Sequence, residues 1–336
     1  MAKISVLGAG SWGTALALLL NGNGHEVTIW SILPDEIKQL KLDHENKRCL
    51  PGVIIPESIS FTDDPKEAIS GKDILVFAVA SPYVRTTAHH VKDYIEDGQI
   101  IVNVAKGIEE ETLFTLTEVI GDEIKNANIT VLSGPSHAEE VGRGIPTSCV
   151  VGANDEKTAE FLQNVFMSEN FRVYTSPDIT GIELGGALKN VIALAAGIAD
   201  GVGCGDNTKA ALITRGIYEI SKLGIAMGGK QETFFGLTGI GDLIVTCASM
   251  HSRNRRAGIL IGQGKSYEEA MKEVNMVVEG VYAAKAAVKL AAKYNVELPI
   301  VTQVNEVLFN EKKAVDAIKE LMLRDKKLEI HNHDWE

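Results

Sequence analysis

Three glycines near the start of the chain, Gly8, Gly10 and Gly13, have a spacing that suits a backbone turn around phosphate groups. A short apolar run, Ile4–Leu7, precedes them and a helical apolar pattern follows, which predicts a strand, a tight turn and a helix. In that setting Gly8 permits the turn, Gly10 leaves room for a pyrophosphate, and Gly13 lets the helix pack close to the strand. Free N–H groups at the helix start attract the anion. The pattern favours dinucleotide binding over a merely structural turn.

Two lysines occupy positions where an ammonium group could take part in a reaction. Lys106 follows a predicted strand, and open α/β sheets bind ligands at the carboxyl ends of their strands. Lys189 lies in a predicted helix, Ile179–Asp200, that is apolar on nearly all sides. A lysine there is paired or functional, and desolvation lowers its pKa towards the range useful for proton transfer. The alternatives are a solvated surface lysine for Lys106 and a snorkelling lysine at a helix edge for Lys189.

Two further segments carry groups that bind anions or orient a lysine. In Gly134–Ala138, the Ser136 hydroxyl and backbone N–H groups at a helix start suit an anion or an amide, and Ser136 is also a candidate helix cap. Asp242 follows a glycine-rich turn and opens a helix. Its carboxylate either complements the helix dipole or holds Lys189 or a substrate hydroxyl.

The densest basic cluster is the segment Ser252–Arg256, which reads Ser-Arg-Asn-Arg-Arg. Guanidinium groups bind phosphate through two parallel hydrogen bonds, so the cluster predicts a phosphate site, with a solvated charge run as the alternative. Nucleic-acid binding is disfavoured because the chain has a net charge of −12 and no aromatic residues lie between the basic ones.

The composition is that of a globular protein large enough for two domains. The chain has 336 residues, of which 45% are hydrophobic and 23% are charged. The negative charge disfavours anionic membrane surfaces but leaves a small anionic substrate open. No apolar run has the length of a membrane span, and no signal peptide precedes the first strand, so we expect a cytoplasmic protein without an integral membrane segment. Four cysteines lack metal or redox spacing and predict free thiols and no metal site: Cys49, Cys149, Cys204 and Cys247.

The elements that must position these residues alternate over the first half of the chain. Short β-rich runs alternate with helical stretches, which predicts an α/β fold with a doubly wound, Rossmann-type, mostly parallel sheet. The predicted strands are Ile4–Leu7, Val27–Trp30, Ile74–Val79, Ile100–Val104, Ile129–Leu132, Ser148–Val151 and Arg172–Thr175.

After Pro177 long helical patterns dominate and predict an all-α second domain. We place the dinucleotide-binding domain at residues 1–177, the all-α substrate domain at 178–330 and a polar tail at 331–336. In the tail, His331 and His333 are expected to be solvated rather than to bind metal. The predicted helices of the second domain are Ile179–Asp200, Asn207–Met227, Gly241–Ala248, Ser266–Asn275, Gly280–Tyr294 and Val301–Glu311.

Taken in order, these segments resemble the NAD(P)-dependent glycerol-3-phosphate dehydrogenases of the bacterial type. The resemblance extends from Gly8 to the helix after Glu279. Its motifs are Gly8–Gly13, Asn46–Gly52, Ala105–Gly107, Gly134–Ser136, Leu188–Asn190, Gly205–Asn207 with Thr214–Gly216, Gly239–Asp242, Ser252–Arg256 and Val278–Gly280. It implies an enzyme that interconverts sn-glycerol 3-phosphate and dihydroxyacetone phosphate and so supplies glycerol phosphate for phospholipids.

The resemblance also implies a role for each site residue. Lys189 is the implied general acid/base, and Lys106 the implied contact to both substrate and cofactor. The residues implied to hold the substrate are Lys106, Gly134, Ser136, Lys189, Asp242, Ser252, Arg253 and Asn254. The residues implied to contact the cofactor are Gly8, Gly10, Ser11, Trp12, Gly13, Lys106, Ala138, Arg253, Val277 and Glu279. These residue types fit the chemistry, since hydride transfer to a ketone needs a cofactor, a proton donor, and cations for the carbonyl and the phosphate.

Three positions depart from the pattern of that family. Cys49 stands where Tyr or Phe is usual, and His137 where an aromatic residue is common. The second strand is followed by Ser31, with neither an acid for a ribose 2′-hydroxyl nor an arginine for a 2′-phosphate. Ser31, Lys47 or Arg48 could bind the phosphate, so NADP is favoured over NAD and the use of both stays open.

Two other functions compete with this interpretation. A β-hydroxyacid or ketopantoate-type dehydrogenase would share the first domain and a helical lysine but would not need Ser252–Asn254. A non-catalytic NAD(P)-sensing protein would keep Gly8–Gly13 but would not need a buried Lys189. The sequence does not define the oligomeric state, and a homodimer is left open.

Overall fold

The computed structural model describes residues 1–326 and 328–329. One eight-stranded sheet forms the first half of the molecule. Its strands are β1 (Lys3–Leu7), β2 (Glu26–Trp30), β3 (Ser60–Thr62), β4 (Ile74–Phe77), β5 (Ile100–Asn103), β6 (Asn128–Ser133), β7 (Thr147–Gly152) and β8 (Phe171–Ser176).

The strands are arranged in the order β3-β2-β1-β4-β5-β6-β7-β8. Strands β1 to β6 are parallel, β7 pairs with β6 in the antiparallel direction, and β8 runs parallel to β7. In β1, Ile4 lies opposite Val27 on one side and Ile74 on the other, and all three are fully buried. Continuous apolar runs suit these central strands because helices cover both faces of the sheet.

The sixteen α-helices of the described residues cover the sheet and build the second half. They are α1 (Ser11–Gly22), α2 (Pro34–Asp43), α3 (Pro65–Ile69), α4 (Val84–Val91), α5 (Leu116–Glu123), α6 (Ala138–Val141), α7 (Glu156–Phe166), α8 (Ile179–Val202), α9 (Asp206–Ala226), α10 (Gln231–Phe234), α11 (Asp242–Ala248), α12 (Arg253–Gly262), α13 (Tyr267–Val274), α14 (Glu279–Lys293), α15 (Pro299–Phe309) and α16 (Ala314–Met322).

The predicted fold class is confirmed: a doubly wound, mostly parallel sheet precedes a helical second half. All seven predicted strands are present, with bounds that differ by at most two residues. The sequence analysis missed β3, which has only three residues and too little length for a periodic pattern. It also missed α10, α12 and α16, while the predicted tail with His331 and His333 lies outside the described residues.

Helix α8 is the core of the second half and positions Lys189. It has the length and composition of a membrane-crossing helix, but its apolar window is entirely buried inside the protein. The sequence analysis expected no apolar run long enough to span a bilayer, and by length and composition α8 contradicts that expectation. Its burial by neighbouring helices shows why its hydrophobicity extends all round.

The backbones of α12 and α8 are in direct contact, which is possible because glycines lie where the helices meet. A Cβ at Gly258 would lie 2.3 Å from the carbonyl oxygen of Leu194, and one at Gly197 would lie 2.2 Å from that of Arg255. Two glycines in a ten-residue helix weaken its sequence pattern, so the segment was interpreted only as a basic cluster. The contact fixes the first turn of α12, with Arg253 and Asn254, beside α8.

Candidate active site

A cleft of about 240 Å³ lies between the carboxyl edge of the sheet and the helical half. Four loops that follow β1, β4, β5 and β6 line one side, as expected for ligand sites in such sheets. The lining residues are Gly10, Ser11, Trp12, Ala78, Val79, Ala80, Val104, Ala105, Lys106, Ser136, His137, Ala138, Glu139, Lys189, Asn190, Thr246, His251, Ser252, Arg253, Asn254, Met276, Val277 and Glu279.

Twelve of the sixteen sequence-predicted site residues line this cleft. The other four, Gly8, Gly13, Gly134 and Asp242, support it from just behind the surface. Residues 106 and 189 are more than eighty positions apart in the chain, so it is the topology that brings them to one cleft.

The glycine turn has the geometry that a pyrophosphate needs. Gly8 has φ +121°, and Gly13 is so close to it that an added Cβ would lie 2.0 Å from the Gly8 carbonyl oxygen. A Cβ at Gly10, in contrast, would meet nothing within 4 Å. Gly10 precedes α1 without a side-chain cap, and the indole Nε1 of Trp12 has no hydrogen-bond partner in the described structure. Open space, uncapped N–H groups and a free indole donor fit a dinucleotide.

Asp242 lies between the two lysines and bonds to both. Its Oδ1 accepts from Lys189 Nζ at 2.5 Å and its Oδ2 from Lys106 Nζ at 2.6 Å. Lys189 also donates to Thr246 Oγ1 at 2.7 Å, one helical turn after Asp242 on α11. Both interpretations of Asp242 have support: it lies in the first turn of α11 and it contacts Lys189. Neither lysine is a free surface or snorkelling side chain.

Burial and charge act in opposite directions on this group. Desolvation lowers the pKa of Lys189 to about 8, with Lys106 adding to the shift and Asp242 opposing it. Burial alone would raise the pKa of Asp242, but the two ammonium groups outweigh it and hold that pKa below its usual value. The result is a fixed carboxylate beside a lysine that can give up its proton near neutral pH.

The segment after β6 completes the wall next to Lys106. The carbonyl oxygen of Gly134 accepts from Lys106 Nζ at 2.9 Å and from Ser136 Oγ at 3.0 Å. Gly134 has φ +152°, and an added Cβ would lie 2.9 Å from the backbone of Cys149. Ser136 does not cap α6, because His137 is the N-cap residue and the Ser136 hydroxyl turns back to Gly134.

The basic cluster divides into residues with different surroundings. Ser252 caps α12 by accepting from Arg255 N at 3.2 Å, and Arg255 pairs with Asp200 at 2.7 Å, away from the cleft. Asn254 is buried and accepts from Gly280 N at 2.8 Å. Arg253 lines the cleft, and among the described residues its guanidinium makes no ion pair. Of the three arginines, Arg253 is therefore the one available to an anion in the cleft.

Glu279 connects the helical half to the loop after β4. Its carboxylate accepts from Ser81 N at 2.9 Å and from the Ser81 hydroxyl. Burial raises the pKa of Glu279, and the bonds from Ser81 and the charge of Arg253 counteract that rise. Val277, which precedes the helix, faces the same cleft.

Some residues of the cleft were missed by the sequence analysis. Thr246 follows Asp242 by four positions, so the spacing on α11 would have placed both on one helix face. Ser81, beside the cleft, and His251 had no such signal, since Ser81 begins a three-residue 3₁₀ helix and His251 lies in the turn between α11 and α12. The described residues contain no group of three His, Cys, Asp or Glu side chains placed to hold a metal ion. The four cysteines form no disulfide with one another.

The fold and the cleft define the class of dinucleotide-dependent dehydrogenases that pair a doubly wound sheet with a helical half. Within that class, the chain belongs to the NAD-dependent glycerol-3-phosphate dehydrogenase family. The sequence model of the family's N-terminal domain matches residues 3–159, and the model of its C-terminal domain matches residues 178–319. The resemblance inferred from the motifs is confirmed.

Named relatives agree over the full length. A glycerol-3-phosphate dehydrogenase [NAD(P)+] from Fusobacterium nucleatum is 64% identical over 99% of this chain and 100% of its own. One from Agathobacter rectalis is 62% identical over 100% of both chains. The crystal structure of glycerol-3-phosphate dehydrogenase from Coxiella burnetii matches with a TM-score of 0.93 and 36% identity, over 96% of this chain and 99% of that one.

Proposed function

We propose that this chain interconverts sn-glycerol 3-phosphate and dihydroxyacetone phosphate with NAD(H) or NADP(H). The observation that carries the proposal is the buried Lys189–Asp242–Lys106 group, which faces a cleft that also contains Arg253, an arginine without an ion pair among the described residues. The relatives named above carry this activity in their names. When bound, the nicotinamide supplies the hydride for the reduction or accepts it in the oxidation.

Lys189 is the proposed proton donor to the carbonyl oxygen of dihydroxyacetone phosphate. Its ammonium is held between Asp242 Oδ1 and Thr246 Oγ1, which fixes the direction from which the proton is delivered. In the oxidation the neutral amine takes the hydroxyl proton, so the same atom serves both directions. Lys106 holds the pKa of Asp242 below its usual value, and Lys189 adds to this effect while it is protonated.

Lys106 is the proposed group that stabilises negative charge on the reacting oxygen. Its Nζ is fixed by Asp242 and by the Gly134 carbonyl, so the cation does not have to reorganise as charge develops. Ser136, which shares the Gly134 carbonyl, is proposed to contact the substrate beside it.

Arg253 is the proposed phosphate ligand, and Asn254 is proposed to hold the substrate beside it. Asn254 Nδ2 donates to Asn190 Oδ1 at 2.9 Å, next to Lys189 on α8. The phosphate end and the carbonyl end of the substrate would therefore be held by adjacent turns of α12 and α8. Gly8–Gly13, Ala138, Val277 and Glu279 are the proposed cofactor side.

The deciding experiment follows the oxidation of NADH and of NADPH separately by purified protein with dihydroxyacetone phosphate. Turnover with either cofactor supports the proposal, and oxidation of neither overturns it. Ketopantoate and short β-keto acids serve as the comparison. A β-hydroxyacid or ketopantoate-type dehydrogenase would prefer those compounds, and a non-catalytic NAD(P) sensor would turn over none.

Further proposals concern the setting of the reaction. We propose a dinucleotide-binding domain at residues 1–177 and a substrate domain at 178–330, since the last strand ends at Ser176 and α8 begins at Ile179, with the cleft between them lined by residues of both. We also propose a cytoplasmic enzyme that supplies glycerol 3-phosphate for phospholipid synthesis. A homodimer is the proposed assembly, because Val315 and Met322 on α16 are 60% and 79% exposed. Sedimentation measures the assembly, and fractionation of cells measures the location.

A further inference from the structure

A carboxylate lies at the carboxyl end of β2, where the sequence shows none. Ser31 follows the last residue of that strand and is 5% exposed. Its hydroxyl donates to Glu36 Oε2 at 2.5 Å and accepts from Leu33 N at 3.2 Å. Glu36 belongs to the first turn of α2, so the chain turns back and brings this carboxylate to the strand end.

This strand end adjoins the glycine turn of the cofactor side. β2 pairs with β1 in parallel register, and Gly8 N donates to the carbonyl oxygen of Trp30 at 2.9 Å. In sheets of this topology, the ribose of the adenosine lies at the end of the second strand when the pyrophosphate sits on the glycine turn. A ribose 2′-hydroxyl can donate to a carboxylate there, whereas a 2′-phosphate would meet a like charge.

We propose that Glu36, held by Ser31, selects NAD(H) over NADP(H). This inference rests on the proposed cofactor site and reverses the preference expected from the sequence, which considered only the residues directly after β2. The acid comes five positions after Ser31, and only the turn into α2 brings it back.

Two basic residues, Lys47 and Arg48, are the candidates to favour a 2′-phosphate over the 2′-hydroxyl. Lys47 is paired with Asp43 at 3.0 Å. Arg48 is exposed and makes no ion pair with the described residues, so it is the remaining candidate to bind a 2′-phosphate. Glu36 and Arg48 both act on Cys49: burial raises the pKa of the thiol, Arg48 lowers it and Glu36 raises it. Of these two side chains, Glu36 is the one that a serine hydroxyl fixes.

The test measures dissociation constants of NADH and NADPH by fluorescence titration, without substrate and without turnover. We expect the unmodified enzyme to bind NADH tighter by about tenfold or more, a difference of ~1.4 kcal/mol. Glu36→Gln should weaken NADH and strengthen NADPH so that the ratio falls by about tenfold. Glu26→Gln is the matched control, because it removes the same charge at the opposite, exposed end of β2.

A second measurement separates a contact from a general effect on the fold. An NADH analogue that lacks the adenosine 2′-hydroxyl should bind the unmodified enzyme about as weakly as NADH binds Glu36→Gln. The dissociation constant of this analogue should change little between the unmodified enzyme and Glu36→Gln. The proposal is overturned if the unmodified enzyme binds NADPH as tightly as NADH or more tightly. If Arg48→Gln then weakens the binding of NADPH alone, the selection is assigned to Arg48. An unchanged ratio in Glu36→Gln also overturns it. Binding of neither dinucleotide contradicts the proposed function instead.

Discussion

Lys189 is buried beside a carboxylate that has a second cation, and this makes its removal informative. In Lys189→Met, Asp242 keeps its bond to Lys106, so the site does not retain an unpaired buried charge. The lost proton donor should lower kcat by about 10²–10⁴, while dinucleotide binding is nearly unchanged. Steady-state kinetics with a binding titration measures both. Lys222→Met on the exposed face of α9 is the control, and substantial turnover in folded Lys189→Met would remove Lys189 from the mechanism.

The pH dependence of the two directions should differ in sign. Burial lowers the pKa of Lys189 to about 8. The reduction uses the ammonium, so its kcat/KM should be level below that pKa and fall by about tenfold per pH unit above it. The oxidation uses the neutral amine, so its rate should rise through the same range. Asp242→Asn removes the charge that favours the ammonium and should move both transitions to lower pH; unmoved profiles would contradict this assignment.

Arg253 should contribute to binding of the substrate's phosphate group and not to the reaction at its carbonyl group. Arg253→Lys keeps the charge but loses the planar pair of donors, and a shielded bidentate contact to phosphate contributes about 2–3 kcal/mol. KM for dihydroxyacetone phosphate should rise strongly, whereas the reaction of dihydroxyacetone should change much less. Arg256→Lys, on the exposed side of the same helix, is the matched control. Equal losses for both substrates would assign Arg253 to the cofactor or to the fold.

The position of Arg253 depends on the close contact between helices α8 and α12. Gly258→Ala would place a Cβ 2.3 Å from the Leu194 carbonyl oxygen, which backbone atoms relieve only by moving apart. We expect a loss of about 1–3 kcal/mol in unfolding free energy, with a raised KM for the phosphate substrate. Gly22→Ala is the control, because its Cβ would meet nothing within 4 Å. Unchanged denaturation and KM in Gly258→Ala would show that the helices tolerate separation.

The elements also show what the sequence can and cannot predict. Gly8–Gly13 was predictable because strand, turn and helix are consecutive, and the structure gives Gly8 and Gly13 a steric reason while the space beside Gly10 is open. Lys189 was recognisable as a charge in an apolar helix. Its contact with Asp242, 53 positions away, could be offered only as one of two options, because pairing across the chain depends on topology. Glu36 was missed for a similar reason: a turn, and not a period, brings it to the end of β2.

At the scale of the whole molecule, the two halves are joined by polar contacts of different burial. Ser81 donates twice to Glu279 beside the cleft, whereas Lys289 contacts Glu110 at 3.1 Å nearer the surface, where the two side chains are 51% and 30% exposed. Exposed ion pairs contribute at most about 1 kcal/mol, while hydrogen bonds to a shielded charge contribute about 1.5–3 kcal/mol. Of these two contacts, the one between Ser81 and Glu279 should therefore contribute more to holding the halves together.

A double-mutant cycle of Ser81→Ala and Glu279→Gln tests this. Each single change should destabilise the protein, and the pair should cost less than the sum because both remove one contact. Since that contact fixes the loop after β4 that lines the cleft, each change should also weaken dinucleotide binding. Urea denaturation and fluorescence titration measure the two effects. Glu110→Gln is the control and should change the unfolding free energy and dinucleotide binding only slightly. Strictly additive losses of unfolding free energy at Ser81 and Glu279 would mean that their contact does not join the halves.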